Sequence, residues 1–163
     1  MSKNILVSAC LLGICCRYDG RGNPNESVIA LLDRDDVTLI PVCPEQLGGM
    51  STPRMPSERL DTRVKNRVGD DVTDCFSRGA EAALRIAQMS HCRYAILKER
   101  SPSCGCGRIY DGTFSGKLTD GNGVTTELLL QAGIQVFGES QIGLFSTNNR
   151  RQEFISCRLR FFI

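Results

Sequence analysis

The sequence predicts an α/β fold, a single domain with a mostly parallel, Rossmann-like sheet flanked by helices. Three observations carry this expectation. Short, wholly apolar runs recur along the chain, the pattern of strands buried on both faces of a parallel sheet. Between them lie segments whose apolar residues repeat at three and four positions, as crossover helices do. The length of 163 residues is that of one domain, and strands alternating with helices close into one right-handed layered sheet. The domain is expected over 1–140, with 141–163 as a C-terminal tail to which the pattern assigns no element.

Ile5 to Ala9, running into Cys10, is the first strand. A Gly-rich loop follows, and Asn25 is placed to cap a helix through Val28, Leu31 and Leu32, because its side-chain oxygen accepts from a free first-turn amide. Val37 to Cys43 is the second strand; Pro41 has no N–H to give a ladder, so it belongs near a strand end or at an unpaired position. Residues 44–71 are rich in Gly, Pro and charge and read as loop or a small hairpin. Asp71 or Thr73 then caps a longer helix with Phe76, Ala80, Ala83, Leu84 and Ala87 on one face. Tyr94 to Leu97 is a third strand. The Gly/Ser loop 101–123 shows at most a short extended piece near 107–110, and its length suggests function. Gly121 and Gly123 before the next helix offer a weak anion-site signal. Val124 to Ala132 is a helix stopped by Gly133, and Ile134 to Phe137 the last strand.

Twenty Lys and Arg against eighteen Asp and Glu leave a net charge of +2, too small for a chain that binds nucleic acid mainly by neutralising phosphates. No apolar run approaches the roughly 20 residues of a membrane span. The abnormal feature is nine cysteines beside a single histidine, His91, and no tryptophan. An odd number cannot pair completely, and a chain of this length builds a core without disulfides. The apolar start after Lys3 imitates a short signal peptide but lacks a small-x-small cleavage pattern. Reduced thiols in the cytoplasm are therefore expected, where clustered cysteines bind metal or catalyse.

Ligands of open parallel sheets bind beyond the carboxyl ends of the strands. Cys10 and Cys43 stand at two such ends, and Cys104 lies in the loop after the third, so three thiols are expected at one edge. Any one of them alone reads as a small buried hydrophobe. Zinc favours C-x-x-C pairs, which the chain lacks, and an iron-sulfur cluster is gripped by thiolates from separate loops. A zinc-stabilised binding module and a metal-free thiol oxidoreductase stand as the rival readings.

Ser8-Ala9-Cys10-Leu11-Leu12-Gly13, Cys16-Arg17-Tyr18-Asp19-Gly20, Pro41-Val42-Cys43-Pro44-Glu45, Thr52-Pro53-Arg54, Lys98 to Gly105 and Tyr110 to Phe114 together resemble one family over about residues 4–139. It is the family of small bacterial proteins that includes the iron-sulfur-dependent thiouracil desulfidases. The resemblance implies a 4Fe-4S cluster with three cysteine ligands, and replacement of the sulfur of a thiolated pyrimidine by water. Its motifs contain Cys10, Cys16, Cys43 and Cys104; the strand-end argument selects Cys10, Cys43 and Cys104, with Cys16 a possible or exchanging ligand. Glu45 is the expected base, Ser101 a catalytic and substrate-binding residue, and Ser103 a second substrate contact. The other cysteines are expected in packing or at the surface, Cys106 being the least settled of them. Arg17, Asp19, Arg54, Lys98 and Glu99 receive no specific role. The expected substrate is a small molecule, and oligomeric state is not expressed in the sequence.

Overall fold

In the computed structural model, which describes residues 2–143, the chain runs through eight strands and four α-helices. In order these are β1 (Lys3–Ser8), α1 (Glu26–Ile29), β2 (Val37–Val42), α2 (Pro44–Leu47), β3 (Ser57–Leu60), β4 (Arg63–Asn66), α3 (Thr73–Met89), β5 (Tyr94–Leu97), β6 (Arg108–Tyr110), β7 (Leu118–Asp120), α4 (Val124–Gln131) and β8 (Gln135–Gly138). Four of the strands form one parallel sheet in the order β2-β1-β5-β8. Alternation of the side chains gives this sheet two cores. Leu6, Ala95, Leu97 and Val136 face Ala83 and Ala87 of α3 and Leu129 of α4, while Ile5, Val7 and Ile96 face Leu11, Val28 and Leu31. Pro41 sits on β2, an edge strand, where a missing N–H costs no ladder bond.

Asn25 caps α1 as expected, its Oδ1 accepting from the Val28 amide at 3.1 Å, but the helix is one turn long and continues as a 3₁₀ turn over Ala30–Asp33. The residue capping α3 is Val72; Asp71 acts one position earlier by accepting from the Thr73 amide at 3.0 Å. Residues 44–71 contain the expected small hairpin, the antiparallel pair β3–β4, and in addition the short helix α2, which their composition did not suggest. The loop 101–123 carries a second hairpin, β6–β7. The tail expected over 141–163 lies outside the described residues from 144 onward.

Helix α2 is held against α3 by the absence of two side chains. A Cβ on Gly79 would lie 1.9 Å from the carbonyl oxygen of Pro44, and one on Gly48 would lie 2.0 Å from that of Cys75. Gly79→Ala must therefore push apart the helix that begins just after Cys43. A cost of about 1–3 kcal/mol is expected, as for overpacked cores, and a shift of the urea-unfolding midpoint measures it. An unchanged midpoint would contradict this packing.

Candidate active site

All the residues singled out from the sequence line one cavity of about 660 Å³ at the carboxyl edge of the sheet: Cys10, Cys16, Cys43, Cys104, Glu45, Ser101 and Ser103. Strand β1 ends at Ser8, and Cys10 sits in the 3₁₀ turn Ala9–Leu12 that follows. Cys43 caps α2 directly after β2. The chain returns through a tight loop to bring in Cys16. Gly13 holds a left-handed φ of 87°, and a Cβ on Gly22 would lie 2.6 Å from the Gly13 carbonyl oxygen. The Cys16 thiol is hydrogen-bonded to those of Cys10 and Cys43, and the Cys43 thiol also reaches the Cys16 carbonyl at 3.6 Å. Cys104 lines the same cavity and feels the charge of Cys43 and Glu45.

Free of metal, the thiols of Cys16, Cys43 and Cys104 resist ionisation. The Cys10 thiol beside it, together with burial, pushes Cys16 up to about 11, against the opposing pull of Cys43 and Arg54. Cys43 is raised further by Cys16 and by burial, and Cys104 is raised chiefly by burial. Neutral, crowded thiols become good ligands once a cation displaces their protons. Among the described residues no three Cys, His, Asp or Glu side chains are gathered to hold a single metal ion. Four thiols spread over one cavity instead fit a multi-iron cluster, which is gripped from separate loops.

The Cys104 loop is built by hydroxyls. Ser101 Oγ accepts from the amides of Ser103 and Cys104, each at 3.1 Å. Ser103 Oγ is buried and pairs with Thr125 Oγ1 at 2.9 Å, and Thr126 Oγ1 donates to the Cys104 carbonyl at 2.8 Å. The Ser8 hydroxyl accepts from the Lys98 amide at 2.9 Å and hydrogen-bonds the Cys104 thiol. The backbone amides at the start of α4 hold the same loop. Val124 N donates to the Pro102 carbonyl and Thr125 N to that of Ser103, both at 2.9 Å, so the start of α4 secures the cysteine loop and is not an anion site. Gly123 is needed there because a Cβ would lie 2.3 Å from the Ser103 carbonyl.

Glu45 occupies the first turn of α2, and Arg54 Nε donates to its Oε2 at 2.5 Å. Arg54 has only 5% of its side chain exposed and also donates through Nη2 to the Cys16 carbonyl at 2.9 Å. One guanidinium thus ties the expected base to the thiol loop. Across the cavity stand Pro56, Ser57, Glu58 and Arg67 of the first hairpin and Tyr110 and Phe114 of the second. The hairpins are joined where Glu58 Oε2 accepts from the Phe114 amide at 2.9 Å and where Arg67 lies over the Phe114 ring at 5.9 Å.

The family model for 2-thiouracil desulfurase matches residues 5–141. The chain belongs to the 2-thiouracil desulfurase family. Within reach of it is the protein YbbK of Bacillus subtilis (strain 168), described as uncharacterized, which is 43% identical over 148 residues, 85% of this chain and 97% of that protein. A solved structure, the 4Fe-4S-dependent thiouracil desulfidase TudS (DUF523Vcz), is 46% identical with a TM-score of 0.82, covering 89% of this chain and 96% of that one. The family match spans both cores, both hairpins and every cavity residue named above.

The remaining cysteines lie elsewhere. Cys15 is exposed, Cys75 lies on α3 with its thiol 3.4 Å from Arg78 Nη2, and Cys92 and Cys106 pack with the core between the sheet, α3 and α4. Cys157 is outside the described residues. Sequence reasoning gave no role to Ser8, Arg54, Thr125 or Thr126. The position of Ser8 at the end of a buried strand and the place of Arg54 in a Thr-Pro-Arg motif were the available signals; the two threonines gave none, being ordinary first-turn residues of α4.

Proposed function

We propose that this protein desulfurates thiolated pyrimidines, converting thiouracil to uracil and sulfide without net oxidation or reduction. The observation that carries the reading is the convergence of four thiols on one cavity in a chain 46% identical to a 4Fe-4S-dependent thiouracil desulfidase. Cys10, Cys43 and Cys104 would hold the 4Fe-4S cluster. When bound, the cluster supplies a Lewis-acidic iron that attracts the thione sulfur and leaves the adjoining ring carbon open to water.

The chain's own residues then have defined tasks. Glu45, oriented by Arg54, takes a proton from the attacking water. Ser101 spends the lone pairs of its oxygen on two amides, which leaves its O–H to donate toward substrate. Ser103, whose hydroxyl is bound to Thr125, contributes to binding by holding the loop beneath substrate. The hairpin wall with Tyr110 and Phe114 supplies flat apolar surface for a pyrimidine ring and shields the reacting carbon from bulk water. A cavity of about 660 Å³ suits a small molecule. No helix among the described residues is long and apolar enough to cross a membrane; the seven free thiols among the described residues accord with the cytoplasm.

The test is anaerobic. Protein reconstituted with iron and sulfide, given 2-thiouracil or 4-thiouracil and no reductant, is expected to yield uracil and sulfide in equal amounts, and metal-free protein none. Colourless protein that retains zinc and releases no sulfide would favour a binding module instead.

A further inference from the structure

Of the serines that line the cavity, Ser8, Ser101 and Ser103 are all engaged in building the cysteine loop. Ser57 is not. Its Oγ is buried in the wall formed by the first hairpin and has no hydrogen-bond partner among the described residues. A hydroxyl carries one donor and two acceptor sites, and burying it unpaired is unfavourable unless something in the working protein satisfies it. The backbone on either side is fixed. Ser57 opens β3 opposite Asn66, the Pro56 carbonyl before it accepts from Arg67 N at 2.9 Å, and the Glu58 carboxylate after it accepts from the Phe114 amide at 2.9 Å. Its neighbours on the hairpin are already taken up, Glu58 and Arg67 with Phe114, and Pro56 has no N–H to offer. The Ser57 hydroxyl is held by no such contact, and one staggered step about its Cα–Cβ bond changes where it points.

A thiouracil carries a group that matches it. In both 2-thiouracil and 4-thiouracil a carbonyl stands two ring atoms from the carbon that bears sulfur, across one ring N–H, so a single contact serves either isomer. We propose that Ser57 is a specificity-determining residue: its hydroxyl turns into the cavity and donates to this second carbonyl oxygen. The inference rests on the desulfuration reading above. The contact touches neither the sulfur nor the carbon that loses it, so it is made equally before and during the reaction. Its removal therefore weakens binding and leaves the chemical step alone.

The experiment compares anaerobically loaded wild type with Ser57→Ala. For 4-thiouracil the variant's KM is expected to rise about 3- to 10-fold, the worth of one neutral hydrogen bond, with kcat within about twofold of wild type. Pyrimidine-4-thione keeps the thione and the adjoining ring N–H but has no second carbonyl, so its inhibition constant against 4-thiouracil should be the same in both proteins. The thermal midpoint of the loaded variant should equal or exceed that of wild type, because an unpaired buried hydroxyl has been removed. An unchanged KM for 4-thiouracil overturns the proposal, as does an equal weakening of both ligands. So does a lowered midpoint, which would give the hydroxyl a partner within the folded chain. Wild type that releases no sulfide from 4-thiouracil refutes the desulfuration reading itself and is recognised before the variant is compared.

Discussion

Glu45→Gln is expected to keep the cluster and lower turnover by a factor on the order of 10²–10⁴, the usual contribution of a positioned base. Glutamine preserves the volume, and its carbonyl oxygen can still accept from Arg54 Nε, so the link from α2 through Arg54 to the Cys16 carbonyl survives. What disappears is the ability to take a proton from water. The carboxylate is suited to that task because Arg54 fixes one oxygen while the side chain remains 15% exposed at the cavity wall. Iron content and visible absorption equal to wild type, with sulfide release strongly reduced, support the assignment. Loss of the cluster in this variant would mean that Glu45 maintains the site and does not catalyse.

The second large effect is expected from Cys104→Ala. Its amide is held by Ser101, its carbonyl by Thr126, and its thiol by Ser8, so the loop stays in place when the sulfur is removed. Folding should therefore be retained while iron uptake and sulfide release are lost together. Cys92→Ala is the control, because Cys92 is equally buried but packs in the core against α3, away from the cavity. A Cys104→Ala protein with a full iron complement would remove Cys104 from the ligand set.

The parallel sheet was legible because its strands are continuous apolar runs, and a parallel sheet fixes where their carboxyl ends meet. That geometry brings Cys10 and Cys43 together from 33 residues apart in sequence. The hairpins were legible only in outline, the first as an alternative to loop over 44–71 and the second as a short extended piece near 107–110. Ser57–Leu60 and Arg63–Asn66 are polar and only four residues long, and their order comes from contacts such as Glu58 with Phe114 and Arg59 with the Asn122 carbonyl. Periodicity carries no information about partners of that kind. Cys16 presented a related difficulty. Its motif was visible, but its contact with Cys10 depends on the turn at Gly13 and on the close approach of Gly22, which only the folded backbone displays. Arg54 was one charge among many until its 5% exposure and its bonds to Glu45 and Cys16 set it apart.

The most direct test of a non-redox desulfuration in this cavity follows the oxygen atom. Loaded wild type is incubated under argon with 4-thiouracil in water enriched in heavy oxygen, with no reductant present. The account predicts one solvent oxygen in every uracil formed and one sulfide released with it. Uracil without solvent oxygen, or sulfur loss that requires an added electron donor, would contradict it.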